Sequence, residues 1–358
     1  MANYSNKIRP LHYQDETVYI YISFYLSSLI EVDTVHQRLV TAAHLGVVWV
    51  DEFLQWDQES TGIEVLHFKQ GDIWIPDLVL MNSVNTFEEM GGDFYYVTVI
   101  PDGTVYWYPY QVFESKCEID TTYFPFDIQT CKLSFISWAF GKEEVNVSIF
   151  KENAPIDYYF YVNNPVWEIK ETTSHSSVQE SSTMITFTLA LRRKPKFYVI
   201  NLILPIILLG VISLLVFVVP ADAGEKMSFA VTVFLSFAVF LSIISMHIPI
   251  DSVKTSMLEV YLTLQMSLGM FMIFISSFQL RLHHRKSHRK IGAFYRGVVR
   301  IERFLRCSAC LGPSSLETSD RVDEIDWNDV SSAIDFCCFW IILVSQIVIA
   351  IVLFMSYI

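Results

Sequence analysis

Seven residues between positions 225 and 246 recur at steps of three and four: Glu225, Ser228, Thr232, Leu235, Val239, Ser242 and Met246. That spacing puts them on one face of a helix. A carboxylate leads, hydroxyls follow, and two aliphatic side chains sit midway. Such groups do not make or break bonds. Lining a narrow passage, Glu225 would attract cations, Ser228 and Thr232 would replace part of an ion's water, and Leu235 and Val239 would close the passage by dewetting. The bland reading of Glu225 is a single interfacial charge reaching for water. The other faces carry Phe229, Phe234, Phe237 and Phe240, suited to lipid or neighbouring helices, and Lys226 is expected to point away from the lumen. Elsewhere no nucleophile–base pair, metal-ligand cluster or phosphate-binding loop supports an enzyme, a metal, a cofactor or a nucleic-acid partner.

The element bearing this stripe is one of four apolar stretches, Phe197–Val219, Met227–Ile250, Leu258–Leu280 and Phe336–Ile358, each 23 or 24 residues long. A bilayer core needs about 20 helical residues, so all four qualify as spans, set at 197–219, 226–249, 258–280 and 333–358. Residues 1–196 carry 13 Lys/Arg against 26 Asp/Glu, whereas residues 197–358 balance at 12 against 12. Between spans three and four, Arg281–Arg306 holds nine Lys/Arg and one acid, Glu302. Basic excess beside a span marks the cytoplasmic side. Residues 1–196 and the C-terminus are then extracellular, and 281–332 is a cytoplasmic loop whose basic half forms a helix. Its acidic part, Glu317–Asp329, leads toward the last span. No secretory signal opens the chain, although an exported N-terminal domain requires one; its removal is the favoured explanation.

Residues 1–196 read as β-structure. Thr17–Ile30, Phe94–Ile100, Val105–Tyr110 and Met184–Leu191 are rich in aromatic and β-branched residues. Turn signals such as Pro101-Asp102-Gly103 and Asn163-Asn164-Pro165 separate them. Short repeated strands suggest a sandwich. Cys117 and Cys131 lie in this exported part, where a disulfide is stable. The Cys307/Cys310 pair lacks metal-ligand partners and reads as ordinary thiols or lipidation sites; Cys337 and Cys338 open the last span. Asn3 and Asn146 head glycosylation motifs in the predicted extracellular part.

Thirteen residues separate Cys117 from Cys131, and Phe124-Pro125-Phe126-Asp127 lies between them. This resembles the signature loop of the Cys-loop receptors, the family of pentameric ligand-gated ion channels that includes nicotinic acetylcholine and serotonin type-3 receptors. Trp74-Ile75-Pro76-Asp77 resembles the family's WxPD, and Trp49 in VVWVDEFLQWD its WxDxxLxW segment. Leu191–Pro195, Pro205 and Pro220–Lys226 resemble the approach to span one, a proline within it and the start of the pore span. The resemblance implies an extracellular all-β, Ig-like sandwich over a four-helix transmembrane domain, assembled as a homopentamer around a central pore. Glu225 without a neighbouring proline insertion implies the cation-selective branch, carrying monovalent cations through a plasma membrane. Met246 stands where nicotinic relatives often carry a charge.

The resemblance also assigns roles outside the pore. Asp127 and Arg193 would form an ion pair linking the loop to span one, with Pro249 pressing from the pore helix, although Val40 replaces an acid frequent in the family. That pair is read as a surface pair, worth about 0–1 kcal/mol, and so as a gating element rather than a stabilising one. A small cationic agonist would sit between subunits, with Trp138 and Met81 on the principal face and Trp49, Tyr106 and Tyr108 on the complementary one. Ring faces attract an ammonium by about 0.5–2 kcal/mol each. Met81 replaces a tyrosine, however, and the capping segment Ile169–Ile185 holds no aromatic residue beyond His175. Three readings stay open: a homopentamer with an unidentified agonist, a non-alpha subunit lending its complementary face to a partner, and a membrane-anchored adhesion ectodomain.

Overall fold

Alternating apolar and polar residues over Val18–Asp33 (β1) and Arg38–Val50 (β2) make a long antiparallel pair, with Ile20, Ile22, Phe24 and Leu26 inward from one strand and Leu45, Val47 and Trp49 from the other. The computed structural model describes residues 4–150, 156–179, 181–220, 224–246, 248, 255–284, 292–310 and 326–356, with side chains except at 307–310 and 356. Asn3, His247 and Pro249 lie outside the described residues. The chain divides into two units, Met1–Asp120 with Phe126–Lys194, and Thr121–Pro125 with Pro195–Ile358.

The first unit is a two-sheet sandwich. Around β1 and β2, Leu66–Lys69 (β3), Tyr96–Val99 (β5), Thr104–Trp107 (β6), Tyr110–Lys116 (β7), Val145–Ile149 (β9) and Ile156–Asp157 (β10) complete one sheet. The other sheet orders Trp167–Gln179 (β11), Ser182–Arg193 (β12), Ile128–Ser137 (β8) and Leu78–Leu80 (β4). Phe24 and Phe113 from the first sheet meet Phe135 and Phe187 from the second at centroid distances of 5.3–6.1 Å, closing the core. Between β5 and β6, Gly103 turns with φ +83°, and a Cβ there would lie 2.5 Å from the Asp51 carbonyl oxygen. That turn therefore requires glycine. Asn164 Oδ1 accepts from the Val166 and Trp167 amides at 2.8 and 2.9 Å, ordering the second turn read from the sequence.

Among the described residues, the second unit contains four helices long and apolar enough to cross a membrane: Lys196–Phe217 (α1), Lys226–Ser245 (α2), Met257–His283 (α3) and, after the basic helix Ala293–Cys310 (α4), Trp327–Ser356 (α5). A wide turn at Val199–Ile203 precedes Pro205 in α1. It accommodates a residue that has no amide proton to donate. The last helix starts at Trp327, six residues ahead of the expected 333. Asp326 Oδ1 accepts from the Trp327 amide at 2.7 Å and Asp329 reaches back to the Asp326 amide at 3.1 Å, so these acids cap the helix. Inside the bundle, Gln346 donates to Ser213 Oγ at 2.8 Å, a polar tie between α5 and α1.

Candidate functional site

The WxPD motif positions Trp138. Asp77 accepts from Ser137 Oγ at 2.5 Å and from the Ala139 amide, while its carbonyl accepts from the Trp138 amide at 3.2 Å. Held on both sides, the Trp138 ring stands 61% exposed. Its ring partner is Phe87, at 4.8 Å between centroids. The two rings border a cavity of about 320 Å³ that Glu88 and Glu89 also line. Phe87 was missed in the sequence because a loop ring carries no periodicity. Met81, at the end of β4, is 40% exposed. The capping segment is a hairpin more than a loop: β11 and β12 stay paired out to Gln179 and Ser182, and His175 faces solvent opposite Thr186.

Tyr106 and Tyr108 emerge on the outer face of the other sheet, so within one chain they do not share a site with Trp138. Tyr108 packs edge-on to Tyr25 at 6.2 Å. Burial, with the neighbouring Tyr25 and Tyr106 phenols, pushes the Tyr108 hydroxyl's pKa up. Trp49 is a correction. It is 1% exposed, packs on Trp74 at 6.0 Å and belongs to the sandwich core. The outward ring of that strand is His44, five residues earlier, tilted against Tyr110 at 4.7 Å and Phe160 at 6.3 Å. Strand parity held the signal: Trp49 has the parity of Leu45 and Val47, and His44 the opposite one. The acid that follows Trp49 in its motif has a structural role as well. Buried Asp51 accepts from Tyr4 Oη at 2.6 Å and from the Phe53 amide at 3.0 Å, and burial raises its carboxyl pKa.

Cys117 and Cys131 are disulfide-bonded, Cα–Cα 5.0 Å. Arg193 grips Asp127 with both arms, Nε to Oδ1 at 2.7 Å and a terminal nitrogen to Oδ2 at 3.0 Å. Gln129 adds a 2.5 Å donation to Asp127 Oδ2, and the guanidinium lies 4.3 Å over the Trp167 ring. The pair is 4% and 2% exposed, which corrects the expectation of a surface pair. Removing one partner alone would strand the other charge in the interior at a cost of about 3–5 kcal/mol, so the first unit depends on the two being present together. The loop's tip belongs to the second unit. There the Phe124 ring is buried against Tyr198 at 5.0 Å, and the Thr122 carbonyl accepts from the Met257 amide at 3.0 Å at the start of α3.

On α2, Glu225, Ser228, Thr232, Leu235, Val239, Ser242 and Met246 are all exposed, while Lys226, Ala230, Val233, Phe237 and Ile244 are buried. Leu235 and Val239 expose 56% and 58% of their surface, although both are aliphatic. Lys226 turns into the bundle, paired with Asp335 of α5, to which Gln279 of α3 also donates at 2.9 Å. Asn146 is a half-buried mid-strand residue whose Oδ1 accepts from Thr183.

The described residues thus form a β-sandwich unit and a unit of four long apolar helices, the latter including the loop-tip residues Thr121–Pro125. The family model for the neurotransmitter-gated ion-channel ligand binding domain matches residues 1–195, and that for the neurotransmitter-gated ion-channel transmembrane region matches residues 202–313. The chain belongs to the neurotransmitter-gated ion channels. It is 35% identical over 292 residues to the mouse neuronal acetylcholine receptor subunit alpha-6, covering 79% of this chain and 58% of that one. It is 33% identical over 299 residues to the Xenopus laevis acetylcholine receptor subunit beta (79% and 60%) and 34% identical over 304 residues to the chicken subunit delta (79% and 59%). The chain therefore matches about three fifths of the length of these relatives.

Proposed function

We propose that this chain is a subunit of a pentameric, ligand-gated, cation-selective channel, in which five α2 helices line the pore and Glu225 forms a carboxylate ring at its inner mouth. The observation that carries the reading is the one-sided exposure of α2. A helix buried along one face, with the aliphatic Leu235 and Val239 left uncovered midway along the opposite, partly polar face, fits further copies around a shared axis. The sandwich and the C-terminus lie outside the cell, and α4 lies inside. Agonist binds between adjacent sandwiches, with Trp138 and Phe87 on one subunit and His44, Tyr106 and Tyr108 on the next. Rings and nearby carboxylates suit a small organic cation. The tip residues Thr122 and Phe124, packed against α1 and α3, pass the closure of that site to the helices, and Pro249 belongs to the same path.

A second reading is favoured by Met81 and the ring-poor hairpin: the chain supplies the complementary face to a partner subunit with a fuller cage, in a heteropentamer. Expression alone in oocytes, with a panel of cationic ligands and a Leu235→Thr variant, separates the two. Agonist currents or a constitutive leak from the variant establish a homomeric channel. Silence from both forms despite surface labelling removes the homopentamer and leaves the partner-dependent reading.

A further inference from the structure

The outward face of the larger sheet is built in rows across β1, β2 and the strands beyond. Tyr25, His44 and Tyr110 are register partners in one row, and Tyr21, Val48 and Tyr106 in another. Between those rows Ser23 pairs with Gly46. Two small residues thus leave a dip on a face otherwise crowded with rings. Register partners on one face stand within side-chain reach of each other, so Tyr25 is a direct neighbour of His44.

The dip is filled by rings. A Cβ on Gly46 would stand 2.6 Å from Ser23 Oγ, 2.8 Å from Tyr25 Cε2 and 3.2 Å from Tyr108 Cε1. No left-handed φ calls for glycine at 46, so what the residue supplies is space for a close approach. The Tyr25 ring lies down over the β2 backbone with its edge against Gly46. Tyr108 meets it edge-on at 6.2 Å between centroids and stays 47% exposed. Tyr25 therefore touches two of the residues given above to the complementary face, His44 by register and Tyr108 by ring contact. A ring in that place offers its surface to a small cation and denies the same space to a larger one.

We infer that Tyr25 is a specificity-determining residue of the agonist site: seated on Gly46, its ring fills the floor between His44 and Tyr108, admitting a compact organic cation and excluding one with a bulky substituent. The inference rests on the reading above that agonist binds between adjacent sandwiches. Gly46 acts through Tyr25. The atoms closest to an added Cβ are ends of side chains, so Gly46→Ala leaves the strand in place and lifts the Tyr25 ring toward the ligand.

The test is titration of the purified full-length receptor in nanodiscs with tetramethylammonium and with benzyltrimethylammonium, followed by saturation-transfer NMR, with the melting temperature of each variant recorded beside it. Tyr25→Ser shifts the affinity ratio of the two probes about tenfold toward benzyltrimethylammonium. Gly46→Ala weakens both probes about fivefold when Tyr25 is present and changes neither in the Tyr25→Ser background. The melting temperatures stay at the wild-type value. An unchanged ratio in Tyr25→Ser, or an equal effect of Gly46→Ala in both backgrounds, overturns the inference and leaves the agonist site standing. A wild type that binds neither probe, or that keeps both affinities after His44→Ala, overturns the agonist reading and the inference with it.

Discussion

Two exposed stripes face away from this chain's own core, and they are built differently. The one on α2 takes all seven residues from a single helix, at steps of three and four, with the buried face directly behind it. The one proposed for an agonist is split within the chain, with Trp138 and Phe87 on loops beside one sheet and His44, Tyr106 and Tyr108 on the other. A single regular element displays its geometry as a period. A site assembled from several strands and loops displays it only once the strands are paired.

The two stripes also rest on different supports, and breaking those supports has the largest expected effect. Arg193→Ala leaves Asp127 buried without its cation, at a cost of about 3–5 kcal/mol; surface biotinylation should show loss of mature protein. Trp49→Ala empties core volume at a cost of about 3–5 kcal/mol and should lower the melting temperature of the receptor in detergent. His44→Ala should leave that temperature unchanged and alter the agonist concentration dependence alone. Were Trp49→Ala to fold normally and shift only the agonist response, the tryptophan would return to the binding face.

Lys226→Met tests the support under the pore stripe. It leaves the half-buried Asp335 with only Gln279 as donor, so assembly should fall, and the exchange Lys226→Asp with Asp335→Lys should recover part of it. No recovery by the exchange would show that packing around Lys226, rather than the pair, holds the helix base. Met81→Tyr sharpens the other stripe by adding a ring. It should raise apparent affinity for a cationic agonist by about 2- to 30-fold, the equivalent of about 0.5–2 kcal/mol. An unchanged response would place the ligand away from β4.

What could be read beforehand follows the same division. The spans, the disulfide loop and the α2 face were legible because length, apolar runs and helical steps are local properties. The capping hairpin was not: Lys170–Gln179 is polar in nearly every position, and its strand state comes from pairing with β12, whose inward residues Ile185, Phe187, Leu189 and Leu191 fill the core. The burial of Asp127 and Arg193 was likewise invisible, since 66 positions separate them and only the β8–β12 pairing brings them together. Trp49 was assigned to the wrong face because motif similarity was followed and strand parity was not.

The central claim is that Glu225 rings a cation pathway through α2. The most direct measurement is the reversal potential of currents through this chain under a sodium chloride dilution gradient, for the wild type and for Glu225→Gln. The account predicts wild-type reversal near the sodium potential, with the variant shifted toward zero and reduced in single-channel conductance. Reversal near the chloride potential, or identical selectivity and conductance in the two forms, would contradict it.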